Sequence, residues 1–220
     1  MVPERRRWLI RHGESAANAG AVTTDPASIP LTEVGRGQAR SIATTIARRP
    51  DLIVTSSYLR TRQTAEPSMQ RFPDVSVETW PVQEFTYLSP GRCVGTTAAQ
   101  RRPLVEAYWQ RCDADHVDGV GAESFTAMLR RVRMLQERLA THPAGFIVVF
   151  THGQIMQSLR LLTLCPDMDD RLLLARFLAF DRQEPVHNGQ ILAVQLIGVE
   201  GWGSGSSEAE GAFHHSVQAN

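Results

Sequence analysis

The sequence predicts an α/β fold: a three-layer α/β/α sandwich whose central sheet is mostly parallel, with a helical or irregular insertion over the sheet's C-terminal edge. Three observations predict it. Strand-like and helix-like segments alternate along most of the chain, the order that sets helices on both faces of a parallel sheet. The run from Phe146 to Thr151 (FIVVFT) is apolar without alternation, as a strand buried on both faces must be. Residues 85–119 break the rhythm with Pro, Gly and scattered aromatic side chains, which marks the insertion.

Taken in order, Arg7 to Ile10 is the first strand. Thr32 offers an N-cap oxygen for a helix reaching about Arg48, and Glu33 places negative charge in its first turn. Asp51 to Thr55 is a second buried strand. A helix follows from about Tyr58 to Gln70, then a short alternating strand from Val75 to Thr79. Residues 120–141 make a long amphipathic helix with Phe125, Met128, Leu129, Val132, Leu135 and Leu139 on one face. Helices at about 153–164 and 167–179 follow the central strand, and Asn188-Gly189 introduces a final strand, Gln190 to Ile197. One domain thus spans residues 1–198, with the insertion at about 85–119. Residues 199–220, rich in Gly, Ser and Glu, read as a flexible tail.

Composition excludes several classes. Lys plus Arg and Asp plus Glu are both 23, and a net charge of zero argues against a nucleic-acid partner. Every one of those cations is arginine, so Schiff-base and P-loop lysine chemistry are excluded. Cys93, Cys112 and Cys165 form no CxxC pair and suit a reducing cytoplasm. The basic start is not followed by the apolar run of a signal peptide, and no stretch of 18 apolar residues exists. Neither secretion nor a membrane span is expected.

The chemistry concentrates at strand ends. The first strand closes on Arg11-His12-Gly13, where an open α/β sheet binds its ligands and Gly13 permits a sharp turn. Arg11 carries a permanent charge in a fork suited to phosphate, and its charge favours a neutral, nucleophilic His12. The central strand closes in the same way on Thr151-His152-Gly153. Two such ends meet at one edge if the strands are parallel. Ser56 to Glu66 (SSYLRTRQTAE) follows the second strand and aims Arg60 or Arg62 from a helix start at that edge. Arg62 and Glu66, four apart, read instead as a solvated helix pair.

The ordered set Arg11-His12-Gly13-Glu14-Ser15 with Asn18, Leu31-Thr32-Glu33-Val34-Gly35 with Gln38, Ser56 to Arg60 with Gln63-Thr64-Ala65, Glu84, and Thr151-His152-Gly153 resembles the histidine phosphatases, the phosphoglycerate-mutase-like superfamily. The resemblance covers roughly residues 7–197. It implies a metal-independent phosphomonoester hydrolase without a cofactor, acting on a small phosphorylated substrate. His12 would become transiently phosphorylated. Arg11, Arg60 and His152 would bind the phosphoryl oxygens, the Asn18 amide would assist, and Glu84 would act as general acid and base. Gln154, where relatives often carry a small residue, would line the pocket beside Gly153. A mutase-type isomerase remains an alternative, although the stretch from Ala19 to Asp25 lacks the mutase pattern. A phosphate-binding module without turnover is a third reading. Specificity falls to the insertion, where Phe85, Tyr87, Arg92, Arg101, Arg102, Tyr108 and Trp109 are the candidates, most of those aromatics being better suited to packing. The sequence leaves a homodimer open.

Overall fold

The apolar run at 146–151 is the strand around which the other elements assemble. In the computed structural model, which describes residues 5–197 and 201–204, the strands are β1 (Arg6–Arg11), β2 (Leu52–Thr55), β3 (Ser76–Thr79), β4 (Phe146–Thr151), β5 (Ile191–Ile197) and β6 (Gly201–Ser204). Their order in one sheet is β3-β2-β4-β1-β5-β6. Strands β1, β2, β3 and β4 run parallel, whereas β5 and β6 are antiparallel additions beyond β1.

Alternate residues of the central strands feed two different cores. Leu9, Leu52, Val54, Ile147 and Val149 face α5 (Phe125–Thr141), α6 (Gly153–Leu164) and α7 (Asp170–Gln183). Ile10, Ile53, Phe146, Val148 and Phe150 face α1 (Glu33–Thr45) and α2 (Leu59–Arg71), meeting Ile42 and Ala65 there. That alternation is what makes three layers rather than two. The apolar face expected at 120–141 is buried as a set. Arg7 is wholly buried and fastens β1 to the end of α5. Its guanidinium donates to the carbonyls of Leu139, His142 and Gly145, where helix carbonyls lack partners.

Several boundaries differ from the sequence expectation, each for a local reason. Helix α1 stops at Thr45, short of Arg48, because Ile46 leaves helical geometry and buries its side chain completely. Helix α5 starts at Phe125 rather than 120. Gly119 and Gly121 take positive φ, and Ser124 then caps the helix by accepting from Ala127 N. Helix α7 starts at Asp170 because Asp169 accepts from the first free amides, Arg171 N and Leu172 N. The insertion is mostly helical: α3 (Pro90–Cys93) and α4 (Ala98–Arg111), the latter opened by a reciprocal capping box between Thr97 and Gln100. Within the expected tail, Gly201–Ser204 is a strand, with Trp202 opposite Leu196 on β5. Residues 205–220 lie outside the described residues. Among the described residues no helix is long and apolar enough to cross a membrane.

Candidate active site

Register brings the two strand ends together. Arg11 on β1 lies opposite Thr151 on β4, and His12 N donates to Thr151 O at 3.0 Å. The turn that follows is built by contact with α1. A Cβ on Gly13 would come 2.5 Å from Gly35 O, and one on Gly35 would come 2.1 Å from Glu14 O, so neither position admits a side chain. The remaining matched residues hold the same turn. Thr64 Oγ1 accepts from Gly13 N at 3.0 Å and Gln38 Oε1 from Glu14 N at 2.8 Å. Thr32 Oγ1 donates to Glu14 Oε1 at 2.6 Å. Gln63 Oε1 accepts from Leu31 N at 2.8 Å. These side chains position the turn and do not line the cavity.

His12 is buried, with Nδ1 2.7 Å from its neighbour's carbonyl, Gly13 O. A carbonyl only accepts, so Nδ1 carries the proton and Nε2 the lone pair. Arg60 Nε donates to that Nε2 at 3.0 Å. The same guanidinium donates through Nη1 to Pro26 O at 2.8 Å and through Nη2 to His152 Nδ1 at 3.1 Å. Tyr58, the N-cap of α2, offers its ring to Arg60 at 4.8 Å. Burial holds the His12 pKa well below its ordinary 6.5, and the charges of Arg60 and Arg11 push the same way. The imidazole is therefore neutral at neutral pH.

Glu84 sits across the cavity in the segment after β3. Its Oε1 accepts from Phe85 N and Gln154 N, each at 3.2 Å. Burial raises its pKa above the ordinary 4.5 and outweighs the opposite pull of Arg60 and Arg11. Arg11 reaches Val186 O through Nη1 and lies against Gly153, where a Cβ would stand 3.3 Å from Arg11 Nε. Asn18 Oδ1 accepts from Ser15 N, Ser15 Oγ and Asn188 Nδ2, which leaves the Asn18 amide hydrogens for the cavity.

These groups share a cavity of about 410 Å³ with Arg11, His12, Asn18, Arg60, Glu84, Gly153 and Gln154 in its walls. That volume suits a small-molecule ligand. Two arginine guanidiniums, a neutral imidazole and a carboxyl whose pKa burial raises point to phosphoryl transfer. The family model of the histidine phosphatase superfamily (branch 1) matches residues 7–173.

The chain belongs to that superfamily. It is 30% identical over 168 residues to the adenosylcobalamin/alpha-ribazole phosphatase of Salmonella typhimurium, covering 72% of this chain and 80% of the relative. Its fold is similar to that of the alpha-ribazole phosphatase of Shigella flexneri (TM-score 0.66, 23% identity, 88% and 91% of the two chains). A mycobacterial glucosyl-3-phosphoglycerate phosphatase is similar as well (TM-score 0.64, 25% identity, 86% and 89%). The protein is a phosphatase of the histidine phosphatase superfamily.

Within this histidine phosphatase, Arg60 is the residue of its pair that lines the cavity, whereas Arg62 is exposed. His152 is completely buried behind Arg60 and does not line the cavity. Of the insertion candidates, Phe85, Tyr87 and Arg101 do. Arg92 instead pairs with Asp118 at 2.5 Å and Arg102 with Glu106 at 2.8 Å, both away from the cavity. Tyr108 and Trp109 pack the insertion onto the core, Trp109 stacking on Phe177 at 5.7 Å. Asp181, Val186, Ile29 and Ala98 also line the cavity and were not foreseen. The sequence assigned Asn188 only to the start of the final strand, yet its Nδ2 donates to His12 O at 3.0 Å. Its pairing with glycine was the available signal. Among the described residues no cluster of three or more His, Cys, Asp or Glu is placed to hold a metal ion.

Proposed function

We propose that the enzyme hydrolyses a small phosphomonoester in two displacements on His12. The lone pair of His12 Nε2 attacks phosphorus while Glu84 protonates the departing oxygen. The phosphorus–oxygen bond breaks and a phosphohistidine forms. Water then attacks phosphorus, Glu84 takes its proton, and the phosphorus–nitrogen bond breaks to release inorganic phosphate. The Nδ1–H bond to Gly13 O supports the positive charge that the ring gains on phosphorylation.

Arg60 and Arg11 supply fixed charge for the phosphoryl oxygens, and the Asn18 amide adds a donor. Arg60 Nε–H, which rests on His12 Nε2, passes to a phosphoryl oxygen when substrate takes that place. Splitting hydrolysis in this way replaces one difficult step with two easier ones. The leaving group lies toward Phe85, Tyr87, Arg101 and Asp181. The unpaired Cys93, Cys112 and Cys165 suit work in a reducing compartment.

The observation that carries this reading is the orientation of His12, its lone-pair nitrogen held in the same cavity as the Glu84 carboxyl, whose pKa burial raises. The test is turnover of an aryl phosphate in the presence of a chelator, with the products quantified. Stoichiometric inorganic phosphate supports hydrolysis. Return of the phosphoryl group to the organic product supports a mutase instead. Full turnover by His12→Ala overturns the reading.

A further inference from the structure

The donors and acceptors around His152 admit one arrangement of protons. Arg60 Nη2 stands 3.1 Å from His152 Nδ1, and a guanidinium has no acceptor, so Nδ1 must carry the lone pair. The other ring nitrogen, Nε2, lies 2.9 Å from Ser56 Oγ and therefore carries the proton. Ser56 Oγ also accepts from Tyr58 N at 3.2 Å, which fills its two acceptor positions. Its own hydrogen goes to Thr61 Oγ1 at 2.8 Å, whose hydrogen goes on to Tyr58 O at 2.8 Å. His152, Ser56 and Thr61 are all completely buried, so water cannot substitute for a missing partner. Burial and the neighbouring Arg60 keep the imidazole neutral.

We propose that Ser56 is a positioning residue for phosphoryl transfer. By accepting the Nε2 proton of His152 it presents Nδ1 as a fixed acceptor, and Nδ1 in turn holds the Arg60 guanidinium with Nε on His12. His152 then acts through Arg60, which is consistent with its place behind the cavity wall. Without Ser56, the Nε2–H is left unsatisfied in a buried site. The ring can escape only by moving its proton to Nδ1, where it faces the donors of Arg60. Either outcome loosens the clamp while leaving the nucleophile and Glu84 in place. The proposal rests on His12 being the nucleophile.

The first measurement is ¹⁵N NMR of the His152 ring in the wild-type protein at neutral pH. A protonated, pyrrole-type Nε2 and an unprotonated, pyridine-type Nδ1 are expected; the reverse pattern overturns the proposal. The second is kinetics of Ser56→Ala beside Ser56→Thr. Loss of a buried hydrogen-bond partner is expected to lower kcat by about 10- to 100-fold with KM little changed, accompanied by a changed His152 ¹⁵N pattern. Ser56→Thr, which keeps the hydroxyl, is expected to restore both. A folded Ser56→Ala with wild-type kcat and unchanged ring shifts overturns the proposal. His12→Ala separates the two readings. If it is inactive while Ser56→Ala is unaffected, only the role of Ser56 falls. If it stays active, the phosphohistidine reading falls with it.

Discussion

Arg60 Nε donates to His12 Nε2 across 3.0 Å, so the group that clamps phosphate in the proposed reaction also marks the nitrogen that attacks it. The contact requires a lone pair on Nε2, which the Gly13 carbonyl secures from the far side of the ring. Both partners are buried, and the geometry sets a precise demand on one side chain.

Substitution of Arg60 tests that demand. Lysine keeps the charge but not the fork that reaches His12, His152 and Pro26 together. Arg60→Lys and Arg60→Ala are each expected to lower kcat/KM by about 10²- to 10³-fold. Arg60 also helps to hold the His12 pKa down. The acid limb of the pH profile, below pH 6.5 in the wild type, is expected to move upward in Arg60→Ala.

Glu84 controls the other limb. The proposed first step needs it protonated, and activity should fall as pH rises through its elevated pKa. Glu84→Gln is expected to abolish that limb and to cost about 10²- to 10⁴-fold in kcat with an alkyl phosphate. The loss should be smaller with an aryl phosphate, whose leaving group needs no proton. The same shift carries a stability cost. The contribution of Glu84 to stability is greatest below the ordinary 4.5 and declines until pH passes the raised folded value, because its carboxyl ionises first in the unfolded chain. Glu84→Gln should therefore raise Tm at pH 7 while lowering turnover, and calorimetry beside kinetics checks both.

The insertion arginines should separate in kinetics. Arg101 lines the cavity, and its Nη1 is held by Thr23 Oγ1 and Thr96 O. Arg101→Ala is expected to raise KM for a substrate carrying a second anionic group by about tenfold or more, with kcat unchanged. Arg92→Ala should leave both constants as they are, since Arg92 is paired with Asp118 outside the cavity.

The turn at Arg11-His12-Gly13 was legible in the sequence because its parts are local or strictly periodic. Two strand–His–Gly endings, the Thr32 cap and the apolar β4 each follow from a short window of residues. The helix α4 was hidden. Pro103 lies inside it, and its face is defined by Phe85, Tyr87 and Phe125 from other segments rather than by its own periodicity. Strand β6 was hidden for a related reason: Gly201 to Ser204 reads as a linker until β5 supplies its pairing partner. Asp181 and Val186 reach the cavity only because α7 and the turn after it fold back over Arg11. Which end of His152 faces Arg60 depends on a hydrogen-bond network that no spacing rule describes.

Gly35→Ala tests the scaffold apart from the chemistry. The added Cβ would meet Glu14 O at 2.1 Å, backbone against backbone, with no flexible side chain to yield. A loss of about 3 kcal/mol or more is expected, read from the urea midpoint. Substitution at Gly37, where the nearest neighbour is the end of the Arg40 side chain at 3.9 Å, should be tolerated.

The central claim is that His12 carries the phosphoryl group. Rapid quench of the enzyme with a phosphorus-labelled aryl phosphate, followed by peptide mass spectrometry under alkaline conditions, tests it most directly. The expected result is a phosphoryl adduct on His12 that forms within one turnover, disappears in acid and is absent from His12→Ala. An adduct on another residue, or burst-free turnover with unmodified His12 at every time point, would contradict the account.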